Sequence, residues 1–381
     1  MRLSELKTGQ SATILNVLGH GGFRRRIMEM GFVRGKRVDV LQNAPLRDPI
    51  KYRIMDYEVS LRRSEAAMIV VITAEEVQQQ LSVAGETLSA PDDADFEEAI
   101  STRSRTINVA LIGNPNSGKT SLFNAISGGH EHVGNYSGVT VDAKRGEYRY
   151  GGYRFVITDL PGTYALSAYT PEELYVRRHL VNDTPDVVVN AVVASNLERN
   201  LYLTTELIDI DPKMVVALNM YDELEASGAV LDYEHLGAML GVPMVPVVAK
   251  TGRGLEALLD TVIAVYENRD PRVRHIHINN GPVVEQALRP LYERLRSDRD
   301  ELPKHFPPRY FAMKLLERDK EVEAQLADCP HFAEWIALRD RAVPQVEEEL
   351  GEDVETALAN QKYGFISGAL KETFTPGGKE Q

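Results

Sequence analysis

From Ile107 onward, short apolar runs alternate with longer amphipathic stretches. The runs Ile107–Ile112, Arg154–Thr158, Val187–Val193, Met214–Leu218 and Met244–Val248 predict strands, with helices between them. This alternation implies a mostly parallel sheet with helices on both faces, and it puts any site on the loops at the carboxyl ends of the strands. Residues 1–73 read differently. Ala12–Leu18, Arg37–Gln42, Ile50–Ile54 and Ala67–Ile72 predict short strands, and Phe23–Met30 a helix stopped at Gly31. Turns are expected at Asn43-Ala44-Pro45 and Arg47-Asp48-Pro49. So many short strands in so little chain suggest a small barrel, because closure removes sheet edges. From 270 to 375 the period is helical. Helices are expected over Val283–Arg296, kinked or split at Pro290, and over Pro308–Arg318, Phe332–Arg341 and Val346–Tyr363. The expected division is a barrel over 1–74, a linker over 75–104, an α/β domain over 105–268, an all-α domain over 269–375 and a tail over 376–381.

Composition sharpens that division. Hydrophobic residues make up 43% of the 381 and charged residues 26%, the proportions of a globular protein. Residues 1–73 hold thirteen Lys and Arg against seven Asp and Glu, whereas 74–102 hold eight acids and no base. That acidic stretch is poor in large apolar residues and reads as a flexible linker. The net charge of −13 argues against nucleic acid as a partner. No run approaches the roughly 18 apolar residues of a membrane span. The N-terminus lacks a signal-peptide core, and the lone Cys329 fits a reducing compartment.

The candidate chemistry starts directly after the strand Ile107–Ile112, at Gly113-Asn114-Pro115-Asn116-Ser117-Gly118-Lys119-Thr120. A triphosphate needs many donors at close range. Gly113 and Gly118 let the backbone wrap phosphates with its N–H groups inward, and Lys119 brings a point charge to the β- and γ-oxygens. Thr120 offers a hydroxyl to Mg2+, and Ser121 opens a helix whose N-terminus faces the phosphates. Asp159-Leu160-Pro161-Gly162 follows the second strand: Asp159 suits Mg2+ through water, and the Gly162 N–H suits the γ-phosphate. After Met214–Leu218 comes Asn219-Met220-Tyr221-Asp222. The Asp222 carboxylate can accept both N1–H and the 2-amino group of guanine, a donor pair adenine lacks, and so selects GTP and GDP. Val248-Ala249-Lys250 closes the set, with the Ala249 N–H suited to guanine O6 and Lys250 to packing beside the base.

These motifs, in this order on strand-to-helix loops, resemble the Ras-like P-loop GTPases. The likeness extends to ferrous iron transport protein B (FeoB), through Asn114–Ser117, Val133-Gly134-Asn135-Tyr136-Ser137-Gly138-Val139-Thr140 and Asp159–Tyr169. Arg309–Arg318 and Lys362–Gly368 resemble that family's helical domain. Arg24–Gly35 and Ala44–Pro49 are similar to ferrous iron transport protein A (FeoA), whose domains are SH3-like barrels. The fold expected is thus an α/β Ras-like P-loop GTPase with an N-terminal SH3-like β-barrel and a C-terminal all-α domain.

The resemblance implies further roles. Thr140 is the expected switch threonine on Mg2+ and the γ-phosphate. Thr163 stands where Ras-like enzymes place a water-orienting Gln, so backbone groups must orient the water. Asn116 is expected to hold K+ beside the phosphates, with carbonyls near Gly134 and Tyr136 completing its shell; the ion would replace an arginine finger. The family continues into a membrane domain, so the chain reads as the part at the cytoplasmic face of a bacterial inner membrane, with that domain as partner. The barrel is expected to act as a tethered partner of the GTPase or helical part, and self-association is left open.

Blander readings hold elsewhere. His130-Glu131-His132 and His275-Ile276-His277 lack enough ligands for metal, Arg24–Arg26 reads as a solvated helix face with docking to another domain or to anionic lipid as the alternative, and Met28 and Met30 are expected in a core. A rival class, a potassium-type GTPase of ribosome or tRNA assembly, would carry a basic RNA-binding domain where this chain is acidic.

Overall fold

A computed structural model describes residues 1–18, 21–43, 48–83, 105–128, 131–134, 143–167, 169–303 and 306–377. The chain divides into two compact units, one built on Met1–Thr106 and the other on Ile107–Leu302 with Phe306–Gln381.

The first unit is an antiparallel sheet of β1 (Ser11–Val17), β2 (Arg37–Gln42), β3 (Ile50–Ile54), β4 (Tyr57–Leu61) and β5 (Ile69–Ile72), in the order β4-β3-β2-β1-β5. Strand β3 alternates buried and exposed residues throughout. Its inward side chains Ile50, Tyr52 and Ile54 meet Ile14, Val38, Val71 and Phe32 in one core. Strand β4 was not expected, because all but its last residue stay at least partly exposed. Helix α1 (Gly21–Glu29) ends just before Gly31, as its pattern predicts. The methionine expectation holds only in part. Met30 packs on the core, but Met28 is exposed, since the residue after buried Ile27 turns to the opposite flank of the helix.

The expected linker also begins differently. Helix α2 is the short turn Arg63–Ala66, and α3 covers Ala74–Val83. Thr73 and Glu76 form a reciprocal cap at its start: the Glu76 N–H donates to Thr73 Oγ1 (3.3 Å) and the Thr73 N–H to Glu76 Oε2 (3.1 Å). Val77 then buries itself against Leu15 and Ile72. Residues 84–104 lie outside the described residues.

The second unit carries a sheet of order β13-β11-β10-β6-β9-β8-β7. Its strands are β6 (Thr106–Gly113), β7 (Glu131–Gly134), β8 (Ala143–Tyr150), β9 (Tyr153–Asp159), β10 (Val187–Val193), β11 (Met214–Asn219) and β13 (Met244–Pro246). Ladders among β6, β10, β11 and β13 are parallel, and β7-β8-β9 is antiparallel. Along β6, Ile107, Val109 and Leu111 enter one core with α4 (Lys119–Ser127), while Ala110 and Ile112 enter the other. Among the described residues the α/β layer also holds α5 (Pro171–Asn182), α6 (Leu197–Ile210), α7 (Tyr221–Ala226), α8 (Tyr233–Leu240) and α9 (Leu255–Tyr266).

The second core does not stop at residue 268. It runs on through α10 (Gly281–Ser297), α11 (Pro308–Leu316), α12 (Lys320–Leu326), α13 (Phe332–Leu350) and α14 (Val354–Thr373). The expected boundary at 268/269 is thus crossed by a continuous core. Pro290 and Pro344 lie inside α10 and α13 without ending them. Each is exposed, as are Gln286 and Asp340 four residues before, so the carbonyl each proline leaves without a donor is on a solvent-facing side. The break between the last two helices falls at Gly351 and the Asp353 cap, not between 341 and 346. Strand β14 (Phe374–Thr375) then pairs with β12 (Val230–Leu231). Among the described residues no helix is long and apolar enough to cross a membrane.

Candidate functional site

The loop after β6 is held from several directions. Asn116 and Gly118 take left-handed backbone angles, φ +64° and +78°. At Gly118 this is a steric requirement, because a Cβ there would lie 2.2 Å from Asn219 Nδ2. Asn219, at the end of β11 and 1% exposed, proves to be a hub. Its Nδ2 donates to Ser117 O (3.0 Å), and its Oδ1 accepts the Ala249 N–H (3.2 Å). One side chain thus joins three loops that sequence reasoning treated separately. It also changes the reading of Ala249: that N–H is already donated, and a base oxygen must compete with Asn219 for it.

Asp159 closes the other side. Thr120 Oγ1 donates to Asp159 Oδ2 (3.3 Å), and Lys119 Nζ lies 3.5 Å from Oδ1. Burial raises the Asp159 carboxyl above its ordinary value, with Lys119 pulling the other way. Its Oδ1 is buried without a hydrogen bond, as is Ser117 Oγ. The Thr120 hydroxyl and the Asp159 carboxylate, with Asp159 Oδ1 and Ser117 Oγ left without partners, suit a hard cation beside phosphate. The Asp159–Gly162 loop is tied to the β6 strand end by Leu160 N–H to Leu111 O and Thr163 N–H to Gly113 O, both 3.1 Å. A Cβ on Gly162 would come within 2.9 Å of Pro115 Cα, so the two loops touch backbone to backbone.

Asp222 is exposed in the first turn of α7, which Met220 opens with a left-handed backbone angle, and Lys250 is exposed on the loop after β13. Val248 is buried and accepts N–H bonds from Thr251 and Gly252. Tyr136 and Thr140 lie outside the described residues. Gly134 ends β7 opposite Ala143. Thr163 is buried, and its hydroxyl donates to Ala165 O (2.6 Å), so it turns away from solvent. The next residue, Tyr164, stacks under the Arg199 guanidinium at 4.3 Å.

Beyond Gly162, Leu166 is linked to the helical part at one remove, through the side chains of Glu206 and Arg177. The Leu166 N–H donates to Glu206 Oε2 (2.9 Å), and its carbonyl accepts from Arg177 Nη1 (3.4 Å). Glu206 in turn pairs with Lys362 of α14 (2.7 Å), which also pairs with Asp209 (2.9 Å). Arg177 grips Asp319 with two nitrogens, at 2.7 and 3.1 Å. Burial alone would raise Glu206, but Lys362 and Lys314 override it and hold the carboxylate far below its ordinary range. None of these pairs is announced by a motif.

Comparison with known proteins identifies the family. Residues 107–262 match the family described as Ferrous iron transport protein B, 1–73 the FeoA domain, and 281–375 the FeoB cytosolic helical domain. A Porphyromonas gingivalis Fe(2+) transport protein A/Fe(2+) transporter FeoB fusion protein is 48% identical over 98% of this chain and 47% of its own length. A Methanocaldococcus jannaschii Fe(2+) transporter FeoB is 36% identical over 70% of this chain and 39% of its own. The chain thus spans less than half the length of these curated relatives. The crystal structure of an S. thermophilus NFeoB variant bound to GDP is 35% identical, covers 71% of this chain and all of its own, and superposes with a TM-score of 0.63. The cytosolic domain of the T. maritima FeoB iron transporter in its GMPPNP form gives 31% identity, 71% and 99% coverage, and a TM-score of 0.59. Fold and site together define a Ras-like GTPase domain continued by a helical domain. The chain belongs to the ferrous iron transport protein B family and carries a FeoA domain ahead of its GTPase.

Proposed function

We propose that this chain binds GTP with Mg2+, hydrolyses the γ-phosphate, and acts as the nucleotide-driven switch of a ferrous iron transporter at the cytoplasmic face of a bacterial inner membrane. The observation that carries the reading is the meeting of Lys119, Thr120 and Asp159 beneath a backbone loop locked by Asn219. Lys119 would neutralise β- and γ-oxygens, and Thr120 and Asp159 would hold Mg2+, which supplies charge neutralisation on the phosphates. Asp222 would select guanine. Thr163 spends its hydroxyl on Ala165, which favours backbone groups for orienting water. Asn116 occupies the loop position suited to K+, and its carbonyl partners would come from the stretch containing Gly134 and Tyr136, with Thr140 as the switch residue.

Leu166 supports the switch. It lies four residues past Gly162, and its N–H and carbonyl are both held by side chains paired to the helical part. A shift of the Gly162 loop on γ-phosphate binding would strain those two pairs.

Phosphate release tests the reading. Wild-type protein should hydrolyse GTP in preference to ATP, faster in K+ than in Na+, and Lys119→Ala should be inactive. Asn116→Ala should lose only the potassium stimulation. Equal turnover of ATP and GTP, or full activity of Lys119→Ala, would overturn the assignment. Equal rates in the two salts would remove the potassium site alone.

A further inference from the structure

Away from the nucleotide loops, the turn after α10 faces the start of α13. Asp298 follows α10, Glu301 stands three residues on, and His331 is the residue before α13. One donor atom from each lies within 4.8 Å of the other two. We propose that these three side chains bind a divalent first-row transition ion, a site independent of the nucleotide reading.

The arrangement of the carboxylates carries the argument. Each has one oxygen fixed by a protein donor and the other turned to a common point. Asp298 Oδ2 accepts from Trp335 Nε1 (2.8 Å) and lies 3.0 Å from Arg294 Nε. Trp335 is fully buried, so it sets the carboxylate's orientation rigidly. Glu301 Oε2 accepts the backbone N–H of His331 (3.2 Å). The inner oxygens remain. Glu301 Oε1 bonds His331 Nδ1, and Asp298 Oδ1 lies 4.0 Å from the same nitrogen. Outer-shell anchoring of this kind orients ligands in metal sites.

A helix cap needs one carboxylate. Two aimed at one imidazole nitrogen repel each other unless a cation stands between them, and Arg294 offsets only the outer oxygen of one. At present a hydrogen bond between Glu301 Oε1 and His331 Nδ1 spans that place. A divalent ion would replace it, taking two carboxylate oxygens and a neutral imidazole nitrogen, a donor set suited to Fe2+, Mn2+ or Zn2+. The side chains of Asp298, Glu301 and His331 are 10%, 20% and 37% exposed, sheltered yet reachable from solvent.

The test is anaerobic equilibrium dialysis of Fe2+, and separately Mn2+, against the whole chain saturated with Mg·GDP, so that the nucleotide site is already filled. Wild-type protein should bind one ion. His331→Ala and Glu301→Gln should each weaken binding by at least about tenfold. Asp298→Asn keeps an acceptor for the Trp335 indole and should weaken binding likewise while GDP affinity stays at the wild-type value. No bound ion in the wild type, or equal binding by Asp298→Asn and Glu301→Gln proteins that still bind GDP, would overturn the site.

Discussion

Glu206 and Lys362 stand 2.7 Å apart although they are 156 positions apart in the chain, and both are almost wholly removed from solvent. The pair joins α6 of the GTPase layer to α14 of the helical part. A buried pair is costly to break from one side, because the remaining charge has lost its partner and cannot regain water. Lys362→Met should therefore destabilise the second unit by about 3–5 kcal/mol, since it strands both Glu206 and Asp209. Adding Glu206→Gln should recover part of that loss. Urea unfolding of the single and double variants measures both. A single variant as stable as wild type would refute the account.

Acid should act on the same pair. The Glu206 carboxyl is depressed in the folded state from an ordinary value of 4.5. Its contribution is thus complete above about 4.5 and declines as pH falls below that toward the folded value. The urea midpoint of wild-type protein should drop progressively on acidification below that point. In the double variant Glu206→Gln with Lys362→Met the drop should be smaller, and parallel curves would exclude Glu206 as a contributor.

Asp222 is exposed and sits in the first turn of α7. Asp222→Ala removes a charged acceptor from two guanine donors. GDP affinity should fall by about 1.5–3 kcal/mol, roughly ten- to hundredfold in Kd, by calorimetry. The fold should be unaffected, so thermal stability without nucleotide should match wild type. Unchanged GDP binding would remove Asp222 from the base site.

Gly118→Ala attacks the loop through geometry. The new methyl would meet Asn219 Nδ2 at 2.2 Å, in a backbone region costly for alanine. Displacing Asn219 releases Ser117 O and the Ala249 N–H together. A penalty of about 1–3 kcal/mol is expected, appearing as lost GDP affinity as well as lowered stability. Should GDP bind normally to Gly118→Ala, the three loops are not locked through Asn219.

What could be read from the sequence was what depends on near neighbours. The strands β6, β9, β10, β11 and β13 declared themselves because each is a short apolar run, and the loops after β6, β9 and β11 because each carries a closely spaced motif, Gly113–Thr120, Asp159–Gly162 and Asn219–Asp222. Other features depend on distant partners. β8 carries charged residues, and its inward Gly146 is there because Phe123 leaves no room for a side chain. α3 hid in a polar stretch, since its cap at Thr73 and Glu76 weighs more than its composition. Pro290 looked like a break because a sequence does not show that the carbonyl it orphans faces water. Asn219 was legible as a motif letter and illegible as the tie between Ser117 and Ala249.

The short ladder of β12 with β14, reinforced by the Asp232 N–H to Thr373 O bond (2.8 Å), fastens the far end of α14 back onto the GTPase layer. The helical part leaves that layer after α9 and returns to it at Val230, so it is attached like the handle of a cup, at both ends. A handle cannot swing about a single hinge. A nucleotide-driven motion of the kind proposed would then be a slide or twist of packed helices, small at every contact and spread over all of them. A pull on residue 375 would reach the layer at β12, four residues after the helix that carries Asp222 ends, making the corner at Asp222 a mechanical neighbour of β14.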